Sequence, residues 1–579
     1  MDATKFLKQY YIQLLIVITI LFNAFGLFFP ILRNDDPVLY ATIAKHIILT
    51  GNWIDLTHPI NTDWLDKPHF PFWITALSFK LFGITSFAYA LPGFLFNLIG
   101  AFYTFRLGKY LFNRHVGYLS ALIYLSSFHL MLSATIDIRA EAYLMGTIIP
   151  ACYYWLIYFN NVNVFSRTLL LGSIFTACAI MSKGIFVLVT ISSGIIAVLI
   201  YTYIYEINTK DQLGKNNYFC RLLTKIVLAI CLTLILIIPE LITLYLQFDA
   251  HPEKVIYGRT HVSGIKWFFW DSQIGRFFND GQITRNNVSS VGHYFFFIHT
   301  FLWAFLPWSV VFIFSLWYYK NNKVNHPQHG MPLGKIFLLT SFFATFIMFS
   351  LTKFQLDYYT NIIMPFASII CASSFYTLLN KKSIRHPIFH FQIYMAFILC
   401  LLVIILSFYT FTGFLFILSF VLGSLILLLF IFLSRYQTVF KAISYPVIAI
   451  NFVFFFILLV YGSIYANFDA GYKIAQYINH RKHPLKSVVD FRLNSLTLEF
   501  YSNTPYMPIS DLNQLDKIKK PFYIVTTISY ATLLQSYLKT QVRVVKYFSG
   551  TTIDKVMQNI FNKDNIDNEL EYYVVLYVK

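Results

Sequence analysis

The sequence predicts a polytopic α-helical membrane protein of about thirteen transmembrane helices with a small C-terminal α/β domain. Three observations carry this. Of 579 residues, 57% are hydrophobic and only 12% are charged, with a mean hydropathy of +0.61. A soluble globular chain carries about 25% charged residues. Apolar runs of roughly 18 to 25 residues, the length of a bilayer-crossing helix, recur along the chain. After residue 466 the texture changes: "SVVDFR", "PFYIVTT", "VRVVKYF" and "YYVVLYV" read as short strands, with helical stretches such as "SLTLEFYSN" and "YATLLQSYLK" between them.

The expected spans lie near 11–31, 88–105, 117–135, 142–160, 168–182, 185–205, 225–247, 291–318, 335–352, 358–379, 390–410, 413–434 and 442–466. The first, "YYIQLLIVITILFNAFGLFFP", has no small-residue cleavage site and reads as a retained helix, not a signal peptide. With the N-terminus inside, the inner segments collect basic residues such as Lys5, Lys8, Arg106, Lys109, Arg221, Lys381 and Lys382, and hold only Asp2, Glu206 and Asp211 as acids. The outer loops are close to charge balance. That asymmetry supports the orientation, and an odd number of spans then puts the tail outside. The expected organisation is a transmembrane unit over 1–466, with outer loops at 32–87 and 248–290, followed by an outer α/β domain over 467–579.

The net charge of +18 follows from this positive-inside bias and gives no reason to expect nucleic acid. Cys152, Cys178, Cys220, Cys231, Cys371 and Cys400 fall in apolar segments or one basic loop, so neither a disulfide framework nor a cysteine metal site is suggested. There is no phosphate-binding glycine motif, which disfavours a nucleotide-driven pump.

The first outer loop is the most informative. It opens on adjacent carboxylates, Asp35 and Asp36, which repel each other and lose solvation near lipid. Tyr40, Ile43, Ala44, Ile47 and Ile48 then share one helical face, and Thr42, Lys45 and His46 the other, the pattern of a helix lying on the membrane surface. A second such helix is expected over 70–83. Between them "NTDWLDKPHF" holds Asp63, Asp66, Lys67 and His69. Further charges gather at outer span ends: Asp137, Arg139 and Glu141 in "TIDIRAEAYL", Lys183 in a tight turn, and Lys353, Asp357, Tyr358 and Tyr359 in "LTKFQLDYYT". The long loop after the seventh span adds Arg259, His261, Lys266, Arg276 and Arg285 among aromatics. A few carboxylates with many cations over an apolar bundle suit a lipid-linked phosphate. Charges at the rim, not at mid-membrane, favour an enzyme over a transporter.

"NDDPVLYATIAKHIILTGNW", "WLDKPHFPFW" and "RFFNDG…LPWS" resemble the C-type membrane glycosyltransferases that use polyprenyl-phosphate sugars, and most of all the aminoarabinose lipid A transferases. The protein O-mannosyltransferases are more distant. The resemblance implies transfer of a sugar, an amino sugar in the nearest branch, from undecaprenyl phosphate to lipid A or a related envelope acceptor. The setting it implies is the outer face of a bacterial inner membrane, with a cytoplasmic N-terminus and periplasmic C-terminus. Protein O-glycosyl transfer, or transport of a lipid phosphate, are the alternatives.

The family's acidic residue four positions before a Tyr-Ala pair falls on Asp36, its Lys-Pro on Lys67-Pro68 and its Arg-Phe on Arg276-Phe277. The acidic position after the third span falls on Glu141 or Asp137, and the tyrosine near the tenth span on Tyr358 or Tyr359. The implied catalytic group is Asp36 with Glu141 and Asp137. Lys67, Arg276, Arg259, Tyr358 and Tyr359 would bind the donor phosphate, with Asp35, Asp66, Arg139 and Lys183 secondary. A His often stands three residues before the family's Arg; here it is Gln273. No metal ligands are assigned; a divalent metal is compatible with the sequence but not required by it. Each residue also has a structural reading: Asp35 and Asp36 as helix caps ahead of Pro37, Lys67 as a snorkelling lysine, Arg276 as a headgroup anchor, Arg139 and Glu141 as an ion pair.

Overall fold

In the computed structural model the chain is described over residues 3–30, 36–58, 62–209, 212–278, 295–321, 331–380, 387–411, 413–436, 438–481, 486–551, 555–556, 566 and 568–579. The first apolar run forms α1 (Ala3–Phe25). Two helices of the first loop follow, α2 (Asp36–Thr50) and α3 (Phe70–Phe82), with a small hairpin between them, β1 (Thr57–His58) and β2 (Thr62–Asp63). The bundle continues through α4 (Ser86–Leu111), α5 (Arg114–Leu125), α6 (Phe128–Thr135), α7 (Ala140–Asn160), α8 (Arg167–Lys183), α9 (Val187–Thr209), α10 (Gln212–Leu236) and α11 (Ile238–Leu244). The second long loop carries α12 (Gly264–Lys266), a π-helical stretch over Trp267–Gly275 and α13 (Arg276–Phe278). Next come α14 (Phe296–Ala304), α15 (Ser309–Asn321), α16 (Met331–Leu351), a 3₁₀ turn over Asp357–Ile363, α17 (Met364–Asn380), α18 (Pro387–Thr410), α19 (Gly413–Leu433), α20 (Thr438–Val460) and α21 (Ala466–Phe468).

Among the described residues, ten helices are long and apolar enough to cross a membrane, and two bent pairs raise this to twelve. The difference from thirteen is α8, whose 17 residues begin and end on charges, Arg167 and Lys183. The expected single spans 117–135 and 291–318 are the bent pairs: α5 and α6 meet at 65°, α14 and α15 at 112°. Backbone freed by a break inside a membrane needs partners. The two breaks supply them to each other. Phe128 N–H donates to the Leu306 carbonyl at 3.0 Å, and the Trp308 indole donates to Ser126 Oγ at 3.0 Å. Gln392 on α18 donates to the Pro307 carbonyl at 3.0 Å. α7 packs on α4 and α8. A Cβ at Gly146 would fall 2.7 Å from the Phe96 carbonyl, so only glycine lets α7 approach α4 this closely.

Beyond the bundle, α22 (Ala470–Asn479) leads into a five-stranded sheet ordered β4-β3-β5-β7-β6. β3 (Ser487–Phe491), β5 (Phe522–Thr527), β6 (Val542–Gly550) and β7 (Glu571–Val578) are the four strands expected from the sequence. β4 (Tyr506–Ile509), with Pro508 in it, was not expected; it sits at an edge, where a missing donor is tolerated. β4 and β5 run parallel to β3, while β7 is antiparallel to β5 and β6. One face of the sheet packs on α24 (Ile528–Leu538) through Ala531, Leu534 and Leu538. The other packs on α22 and on α23 (Leu496–Tyr501) through Ile474, Ile478 and Leu498.

This unit corrects the expectation for α2. Its polar face does not look into water: Thr42 is fully buried and Lys45 is 8% exposed. The Lys45 ammonium donates to the carbonyls of Glu499 at 2.7 Å, Phe500 at 3.1 Å and Ser502 at 2.8 Å, capping the C-terminal end of α23. His46 Nε2 lies 2.8 Å from Glu499 Oε1, and Phe500 joins the apolar cluster of α2 and α3. Burial pushes the Lys45 ammonium down to about 8, partly offset by the Glu499 charge. Lys45→Met removes a donor from three buried carbonyls and is expected to cost about 1–3 kcal/mol. Limited proteolysis should then cut between bundle and sheet sooner than in the wild type.

Candidate active site

Five segments meet at the end of the bundle that faces the sheet. The α6–α7 link carries Asp137 and Arg139, and α7 holds Glu141 in its first turn. α8 ends on Lys183 and turns at Gly184, whose φ of +101° suits glycine; a side chain there would collide with Gln273. α2 brings Asp36 as its first residue. The 3₁₀ turn brings Tyr358 and Tyr359, and the first loop brings Asp66 and Lys67.

Arg139 is the hub. Its Nη1 donates to Asp36 Oδ2 at 2.8 Å and its Nε to Asp137 Oδ1 at 3.0 Å. Its guanidinium carbon lies 4.6 Å from the Tyr358 ring centroid. Lys183 and Glu141 form an ion pair with both side chains almost fully buried. The Lys183 ammonium also stands 4.4 Å from the Tyr359 ring centroid and 5.2 Å from that of Tyr358. Lys67 pairs with Asp66 at 2.5 Å.

Burial pushes the Asp36 carboxyl up. The charges of Lys67, Arg139 and Lys183 and the Arg139 hydrogen bond outweigh it, so the pKa falls below the ordinary carboxylate value. Asp36 is therefore a standing anion with weak basicity. Two of those cations, Lys67 and Lys183, line a narrow cavity of about 70 Å³ together with Gln273 and Tyr359, walled by aromatics such as Trp267 and Phe349.

Of the residues singled out in the sequence, Asp36, Asp66, Lys67, Asp137, Arg139, Glu141, Lys183, Tyr358 and Tyr359 come together. The structure separates the two acids after the third span: Asp137 shares Arg139 with Asp36, whereas Glu141 is the buried counter-ion of Lys183. Arg259 stands on an exposed turn, its backbone bridging Ile256, and does not line the cavity. Asp35 and the Arg276 side chain lie outside the described residues. Asp63 ties the first loop to Lys254 at 3.0 Å and Gln247 at 2.9 Å.

One buried pair was not anticipated. His69 Nδ1 lies 3.0 Å from Glu240 Oε1, and the His69 backbone N–H donates to the same carboxylate. The signal was there: Glu240 is the one acid in the apolar run 225–247, and such a residue in a span demands a partner. Among the described residues no three His, Cys, Asp or Glu side chains group as a metal site. Gln273 presents an amide that donates to Ser272 Oγ at 2.8 Å and approaches the Lys183 carbonyl at 3.4 Å.

The family described as dolichyl-phosphate-mannose-protein mannosyltransferase matches residues 66–242, the stretch containing Lys67, Asp137, Arg139, Glu141 and Lys183. The crystal structure of ArnT from Cupriavidus metallidurans bound to undecaprenyl phosphate superposes with a TM-score of 0.68, at 16% identity, over 98% of each chain. The fold is that of ArnT. Its apo structure gives a TM-score of 0.67 at 17% identity, over 93% of this chain and 96% of that one. The chain is thus a multi-pass membrane protein like ArnT. In sequence it is 25% identical to undecaprenyl phosphate-alpha-4-amino-4-deoxy-L-arabinose arabinosyl transferase 2 of Proteus mirabilis, over 61% of this chain and 56% of the relative. A second transferase of that description, from Photorhabdus laumondii, is 22% identical over 57% and 53%. The chain therefore spans little more than half the length of these curated relatives. The resemblance to polyprenyl-phosphate-sugar transferases holds in sequence and in fold.

Proposed function

We propose that this chain is an inverting glycosyltransferase that moves a sugar from undecaprenyl phosphate to an anionic envelope acceptor such as a lipid A phosphate. The observation that carries the reading is the set of three cations, Lys67, Arg139 and Lys183, around an ionised Asp36, two of which, Lys67 and Lys183, line a narrow cavity. In such a reaction an acceptor oxygen attacks the anomeric carbon while the bond to the donor phosphate breaks. Positive charge develops on the sugar and negative charge on the leaving phosphate. Lys67 and Lys183 face the cavity and are placed to stabilise the phosphate. Arg276 belongs to the same proposed set. Asp36, with Asp137 held beside it by Arg139, supports the sugar's positive charge.

The depressed basicity of Asp36 selects between acceptors. A hydroxyl needs a base near its working pH, whereas a phosphate arrives already ionised. The names of the relatives support an amino sugar as the cargo. The proposed setting is a bacterial inner membrane with a cytoplasmic N-terminus, a transmembrane unit over 1–466 and a periplasmic unit over 467–579.

Purified protein in detergent, with no sealed membrane, is expected to consume a polyprenyl-phosphate sugar and label an acceptor lipid. Consumption only across a sealed vesicle would instead make the chain a transporter, and labelling of Ser or Thr alone would make it a protein glycosyltransferase. Lys67→Ala should lower turnover by about 10²–10³-fold, read as rate of undecaprenyl phosphate release, with Lys67→Arg recovering part of the loss.

A further inference from the structure

The sheet unit carries a second feature that the reaction centre does not use. An open groove of about 770 Å³ runs between α22 and β6. Its lining includes four basic side chains, Lys473, His480, Arg481 and Lys546, and no carboxylate. Tyr477 forms a platform for two of them, with the Arg481 guanidinium 4.5 Å and the Lys546 ammonium 4.9 Å from its ring centroid. The nearest acid in sequence, Asp469, lies outside the lining, accepts from the Tyr472 N–H and the Thr497 hydroxyl, and its charge acts on Lys473.

Position adds to charge. The groove begins at Ala466 and Asn467, at the end of the last apolar run, Phe440–Phe468. The end of a membrane-spanning run is where basic and aromatic side chains reach lipid headgroups. A second cavity of about 990 Å³ shares Tyr472, Gln476 and His480 in its lining and reaches Lys45 and His46. Those two residues lie on α2, the helix that begins with Asp36.

We infer that this groove is a docking site for the phosphorylated headgroup of a membrane lipid, and that it takes the acceptor of the proposed transfer and leads it toward α2. The acceptor role rests on the reading given under Proposed function. Phosphate is recognised by Arg481 and Lys546, with the Lys473 ammonium held at the groove wall by the Ser549 carbonyl, and the apolar chains stay in the bilayer beside Ala466.

The test uses the full chain in neutral detergent, with native mass spectrometry counting bound lipid. Phosphatidic acid, phosphatidylcholine and inorganic phosphate are the probes. The double variant Arg481→Gln/Lys546→Gln changes exposed side chains, and Lys517→Gln/Lys519→Gln is a charge-matched control elsewhere on the sheet unit. Wild type and control are expected to bind phosphatidic acid alike, and the Arg481/Lys546 variant at least tenfold more weakly. Phosphatidylcholine should not occupy the site, and inorganic phosphate at equal concentration should not displace the lipid. In the transfer assay the same variant should raise the KM for a phosphorylated lipid acceptor about tenfold, with kcat and the donor KM unchanged. Equal binding by variant and wild type, displacement by free phosphate, or an unchanged acceptor KM in an active enzyme would each overturn the inference. If lipid binding follows the expected pattern but no sugar moves, the headgroup site stands and the transferase reading falls.

Discussion

Asp36→Asn is expected to lower sugar transfer by roughly 10³-fold, while Asp35→Asn loses no more than a few-fold. The substitution keeps the size of the side chain and an oxygen facing Arg139, so the loss reports charge more than shape. Arg139 retains Asp137 as a partner at 3.0 Å, so the link between α6 and α7 should hold and the protein should purify normally. The pH dependence separates the two roles open to a carboxylate. Three cations hold the Asp36 pKa below its ordinary value, so the group stays ionised as pH falls from 7 to about 5, above the usual carboxylate value near 3.9. Activity from this group is lost only when pH falls through that lowered pKa. The wild-type kcat/KM profile should therefore show no acid limb between about pH 5 and 7 that disappears in Asp36→Asn. Such a limb would mean a raised pKa and a general base, which would point back to a hydroxyl acceptor. A larger loss in Asp35→Asn than in Asp36→Asn would mean that the acidic position had been read one residue off.

Much of this cluster was legible because charge is scarce in the chain. With 12% charged residues, each carboxylate or cation at a span end stands out, and its cost near lipid implies a role. Asp36, Lys67, Asp137, Arg139, Glu141 and Lys183 were found in that way. Their pairing was not legible. Nothing in the local pattern says that Arg139 takes Asp36 and Asp137 while Lys183 takes Glu141. The α2 pattern pointed to a helix on the membrane with a wet polar face, because amphipathic periodicity reports two unlike faces and not what covers them. The cover comes from α23: the Lys45 contact to Glu499 spans 454 residues. The bent helices were read as straight spans because apolar composition survives a 65° or 112° break. His69 and Glu240 were missed as a pair for the same reason as Lys45 and α23: the partners are distant in sequence.

The second large effect is expected at Lys183. Lys183→Met removes one member of an ion pair whose two side chains are nearly excluded from water. Glu141 then holds an uncompensated charge, and breaking a buried pair on one side costs about 3–5 kcal/mol. The single variant should melt well below the wild type and express poorly. Glu141→Gln/Lys183→Met removes both charges and should recover most of that stability, because an apolar or neutral replacement of a buried pair is often neutral. Activity should not recover with it. The Lys183 ammonium lines the cavity, sits over Tyr359 and helps to hold Asp36 ionised, and none of these is restored by silencing Glu141. Thermal melts and transfer rates on the same preparations therefore separate structure from chemistry. A double variant that regains both stability and activity would reduce Lys183 to a structural ion-pair partner and leave phosphate stabilisation to Lys67 and Arg276. A double variant that is stable but inactive places the lysine in the reaction, and its partner Glu141 becomes the residue that makes a buried ammonium tolerable there.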